Sequence, residues 1–131
     1  NGALGGLVAI TAEPLMPSPL MAIIIGGIGG ALVFAGTELL VSLKIDDVVG
    51  AIPVHLIAGV WGTLAVPITN PDTSFGTQFL GTASICVFVF VVSIIIWSIM
   101  KATIGIRISE EAEKEGTDVA ETGVIAYSIR D

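Results

Sequence analysis

Residues Pro19 to Leu43 form an apolar run interrupted by one charge, Glu38, near its end. About 20 such residues, rising 1.5 Å each, cross a hydrocarbon core of about 30 Å. Two further runs meet this requirement, Val48 to Val66 and Thr77 to Ala102. A fourth, Gly2 to Ala12, is too short to span and reads as the end of a truncated helix, so the chain reads as a piece of something longer. Between the runs lies turn chemistry: "EPLMPSP" at Glu13, "KIDD" at Lys44 and "PITNPDTSFG" at Pro67. The expected fold is all-α, a polytopic membrane helix bundle of about three full transmembrane helices plus the truncated one. Residues 1–104 would hold the helices and 105–131 a solvated tail.

Charge supports this reading. Only 13% of the residues are charged, against about 25% in a soluble domain. Most charges follow Lys101, so the net charge of −7 describes an acidic tail. Nucleic acid, whose phosphates need clustered Lys and Arg, is excluded as a partner. The five basic residues are Lys44, Lys101, Arg107, Lys114 and Arg130. In an alternating thread they all fall on one side, which the excess of Lys and Arg marks as cytoplasmic. The C-terminus is therefore expected inside. Cys86 is the sole cysteine and reads as an inert core thiol, with neither disulfide partner nor metal-site spacing. No cofactor or metal is implied. No nucleophile–base pair, paired carboxylates or phosphate-cradling loop supports an enzyme.

Gly26 and Gly30 make a GxxxG pattern, which Gly2 and Gly6 repeat and Gly59 and Gly62 shorten. Such spacing lets helix backbones approach closely in lipid, with pore lining as the rival reading. Asp46 and Asp47 precede an apolar helix. Carboxylates there cap free backbone N–H groups and oppose the positive end of the helix dipole, or else attract cations at a vestibule. His55, the only histidine, lies at membrane depth, where ionisable residues are costly and face a bundle interior or a cavity. A neutral imidazole both donates and accepts a hydrogen bond. Two readings stand for it, a satisfied packing histidine or part of a proton or substrate path. Pro53 removes one N–H just before it. Trp61, six residues on, reads as a packing aromatic. In the tail, Ser109 suits an N-cap, "EEAEKE" a first helical turn and Gly116 a stop.

Four segments resemble the ammonium transporters of the Amt/Mep/Rh superfamily: "NGALGGLVAITA", "SPLMAIIIGGIGGALV", "IDDVVGAIPVHLIAGVWGTLAV" and "GIRISEEAEKEGTDVAETGVIAY". The resemblance covers nearly the whole chain and implies its C-terminal third: the end of an eighth helix, the ninth to eleventh, then the tail. It further implies an ammonium/ammonia route through a multi-pass protein of the cell membrane, assembled as a homotrimer with the remaining helices of the parent subunit. His55 would be the second of two pore histidines and Ala51, one turn earlier, would share its face. Arg107, Glu110, Gly116, Asp118 and Tyr127 would belong to a regulatory tail, docking on the cytoplasmic face and communicating with a PII-class signalling protein. Leu56, where many members have glycine, and "TGV" at Thr122, where many have "HGE", depart from the pattern. The alternative is an ammonium-sensing module of a signalling protein.

Overall fold

The computed structural model describes residues 1–126, whose regular structure is all helical, with no strand among the described residues. Helix α1 spans Gly2–Ile10, α2 Pro19–Ser42, α3 Ala58–Thr69, α4 Phe75–Thr103, α5 Glu110–Glu115 and α6 Thr117–Thr122. A π turn, Ile52–Ile57, runs directly into α3. Three segments are long and apolar enough to cross a membrane: Pro19–Ser42, Ile52–Thr69 and Phe75–Thr103. They make a partial polytopic bundle.

Helix α2 starts where Ser18 accepts a hydrogen bond from the Met21 N–H and Pro19 pre-sets the first turn. It ends in a Schellman arrangement: Ile45 N–H donates to the Leu40 carbonyl and Lys44 N–H to that of Val41, both at 3.0 Å. Lys44 therefore occupies the left-handed region, at φ 56°. The second span was expected from Val48, but its helical backbone begins at Ala51, because Gly50 at φ 72° turns the chain first. Pro67, expected in a loop, lies inside α3.

Antiparallel α1 and α2 meet through bare backbone. A Cβ on Gly26 would stand 3.2 Å from the Gly6 carbonyl oxygen, and one on Gly30 3.0 Å from that of Gly2. A Cβ on Gly29 would come within 2.5 Å of the Ala9 Cβ. Above these contacts sit two small apolar clusters. Ala9, Ile25 and Ala65 pack with Ile10 and Trp61, and Val33, Val54 and Ala58 pack with Val8. The Trp61 indole closes the first by donating from Nε1 to the Ile25 carbonyl at 3.0 Å. In the loops that flank these helices, Asn70 donates from Nδ2 to Glu13 at 2.9 Å.

The chain divides into two compact units, Asn1–Phe88 and Val89–Asp131. The second holds the end of α4 and the tail. There Gly105 at φ 75° and Gly116 at φ 107° set off the short helices.

Candidate functional site

The site is built on the π turn. Its first amides are accounted for one by one. Ala51 and Ile52 donate to the two carboxylate oxygens of Asp47, each at 2.8 Å. Pro53 has no N–H, and Val54 donates to the Gly50 carbonyl at 3.0 Å. Asp46, expected to share the cap, is exposed and receives neither amide. It stands one residue too early, and with Asp47, Thr37 and Pro53 it borders a hollow of about 150 Å³.

Pro53 and Val54 turn inward and are buried, which leaves His55 and Leu56 on the exposed side. His55 opens on a cleft of about 290 Å³. One wall carries His55, Gly59 and Thr63, and the facing wall, from α4, carries Gln78, Thr82 and Cys86. Each wall repeats every four residues, the interval at which helical side chains stack. Thr63 donates its hydroxyl to the Gly59 carbonyl at 3.0 Å. The Thr82 hydroxyl is buried without a partner among the described residues. A buried unpaired hydroxyl costs about 1–3 kcal/mol, so a hydrogen-bond partner reaching it would be stabilising.

Several expected positions differ. Ala51 is exposed but does not line the cleft. An i,i+4 pair shares a face in α geometry, and the π turn between Ala51 and His55 alters that register. Leu56 lies on the cleft wall, 51% exposed. Cys86, read as a core thiol, is half-buried on the opposite wall. Gln78 and Thr82 were not singled out from sequence, although their four-residue spacing with Cys86 marks one helix face.

In the tail, Ser109 accepts a hydrogen bond from the Ala112 N–H at 3.2 Å and caps α5. Arg107 pairs with Glu113 and Lys114 with Glu110, both at 2.7 Å. The Glu113 hydrogen bond, helped by its charge, raises the Arg107 guanidinium above its ordinary value, so it stays charged at any physiological pH. Asp118 accepts from the Ala126 N–H at 2.7 Å. Gly116 ends α5, and Tyr127 lies outside the described residues.

Membrane-length helices joined by glycine contacts, with an imidazole open on a mainly apolar cleft, define a multi-pass membrane protein. The chain belongs to the Ammonium Transporter Family, whose sequence profile matches residues 1–127. This is a family of transporters and not of enzymes. A Synechocystis protein named as an ammonium transporter is 41% identical over 125 residues, which cover 94% of this chain and 28% of the relative. An ammonium transporter of Haloferax mediterranei is 36% identical, over 97% of this chain and 26% of its own length. One from Archaeoglobus fulgidus is 35% identical, over 97% and 31%. The chain thus spans under a third of each of these relatives.

Proposed function

We propose that this chain supplies the C-terminal third of an ammonium transporter, with His55 lining the route taken by ammonia. The supporting observation is the exposure of His55 on a mainly apolar cleft that also carries Thr63, Gln78 and Thr82, inside a segment long and apolar enough to span. Moving an intact ammonium ion through an apolar passage costs several kcal/mol or more, because the cation loses its water. Passing its proton to the unprotonated nitrogen of a neutral imidazole, which hands it on through the histidine pair, lets neutral ammonia cross. An imidazole suits that task, since one ring nitrogen donates while the other accepts.

In this reading His55 is the second of a pair, its partner coming from a helix of the parent subunit outside this chain. Residues 1–104 form the membrane part. The tail, 105–131, lies in the cytoplasm, where Arg107, Glu110, Gly116, Asp118 and Tyr127 take part in docking within a homotrimer and in control by a PII-class protein. The cell membrane is the proposed location.

The test is His55→Ala in the full-length parent, reconstituted in liposomes and assayed for ammonium-driven current. Loss of current, or its uncoupling from selectivity, is the expected result. Wild-type current and selectivity would refute the assignment. Retained ammonium binding by a wild-type parent that carries no flux would point instead to a sensing module.

A further inference from the structure

The buried face of the second span advances from Ala58 through Gly62 to Ala65 and Val66, in ordinary α-helical steps. Before Ala58, two consecutive residues are buried, Pro53 and Val54. An α-helix turns about 100° per residue, so it would keep Val54 near Ala58 but swing Pro53 roughly 140° away. A π turn advances roughly 80° per residue, and Pro53 and Val54 then straddle the line through Ala58. The same change carries His55 from about 60° to about 115° off the buried face, out towards the cleft.

The seat that demands this register is Gly36 of α2. Gly36 is buried, and a Cβ there would stand 3.1 Å from the Pro53 Cβ and 2.6 Å from the Ile57 Cδ1. Pro53 is among the most fully buried side chains of the protein. Its ring rests on bare glycine backbone, and Ile57, at the other end of the turn, closes over the same spot. The turn leaves little unsatisfied: Asp47 takes two amides, Pro53 lacks one, and Ala58 shares its N–H between the His55 and Pro53 carbonyls.

We propose that Gly36 is a positioning residue for His55: it seats Pro53 and Ile57, and the resulting π turn aims the imidazole into the cleft. Gly36 lies on a different helix and does not line the cleft. Its influence on the ring passes only through the turn. This inference rests on the proposed transport role of His55, but the direction of position 55 is measurable without transport.

The experiment uses the full-length parent carrying Cys86→Ala and His55→Cys, and follows the labelling rate of the introduced thiol by a small methanethiosulfonate reagent. Adding Gly36→Ala is expected to slow labelling about tenfold, while Ile57→Ala in addition restores much of the rate by removing the nearest clash. Pro53→Ala puts no new atom in the seat and allows an α-helical turn, so it should slow labelling as well even if Gly36→Ala does not fold. In a His55 background, Gly36→Ala should cut methylammonium uptake per folded molecule by about tenfold or more, with Ile57→Ala rescuing it. Unchanged labelling in Gly36→Ala, or in Pro53→Ala should the former not fold, would overturn the inference. Altered labelling with normal uptake, and normal uptake in His55→Ala, would leave the turn's geometry standing and remove the transport reading instead.

Discussion

Helices α2 and α4 are both long enough to span a membrane, yet they use their surfaces differently. Helix α2 buries Ile25, Gly29, Val33 and Gly36 along one face. Helix α4 holds the most apolar 18-residue stretch, with a mean hydropathy of 2.7 against 2.1 in α2, yet buries no whole residue within this chain. Within this chain, then, the most apolar stretch is not the one that packs. Lipid tails satisfy leucine and isoleucine as well as protein does, so association depends on how closely backbones can approach. The glycines of α2 permit that approach. On α4, Gly76 and Gly81 face no neighbour within 4 Å.

The strongest way to break this contrast is to fill the α1–α2 seam. Gly29→Leu would drive a branched side chain into the Ala9 Cβ and the Gly5 carbonyl. The expected cost is about 3 kcal/mol or more, since backbone cannot give way as a side chain does. Gly76→Leu on α4, where a Cβ meets no atom of this chain within 4 Å, should cost less than Gly29→Leu. Thermal unfolding of the purified parent in detergent would compare the two, and equal losses would end the claim that the seam is special.

A finer version contrasts adjacent residues of one helix. Gly26→Ala meets the Gly6 carbonyl at 3.2 Å, whereas Gly27→Ala meets nothing within 4 Å. About 1–2 kcal/mol is expected for the first and close to none for the second. Trp61→Phe probes the same region through its hydrogen bond to Ile25. Removing that donor should cost about 1 kcal/mol by thermal unfolding.

These contrasts also show what could be read beforehand. Three spans followed from apolar run length, and the GxxxG spacing of Gly26 and Gly30 marked a surface suited to close approach. The identity of the helix it meets was not in the spacing, because any small-residue face would serve. The π turn was hidden for another reason. Reading Ala51 and His55 as one face presumed an α-helix, and only the burial of Pro53 against Gly36 shows that the register changes between them. The start of that helix was misplaced because Val48 and Val49 look helical by hydropathy, while Asp47 and Gly50 hold them in a turn. Gln78 and Thr82 passed unnoticed since polar residues every four positions in a long apolar run acquire meaning only when another helix faces them.

The smallest effect concerns how the two helices stop. Both end with a residue in the left-handed region, Lys44 after α2 at φ 56° and Gly105 after α4 at φ 75°. Glycine takes this conformation without steric penalty, while a residue with a Cβ pays about 1–2 kcal/mol. Lys44→Gly should therefore stabilise the end of α2, though by only about 0.5 kcal/mol, because glycine loses more backbone entropy on folding. Gly105→Ala should destabilise by about 1 kcal/mol, with no entropy term large enough to reverse the sign. Lysine also places a positive charge at the negative end of the α2 dipole. Salt would screen that contribution, so the gain from Lys44→Gly should grow as ionic strength rises. A gain that is independent of salt would assign the whole effect to backbone strain, and a loss at low salt that turns into a gain at high salt would mean that the Lys44 charge outweighs its conformation until it is screened.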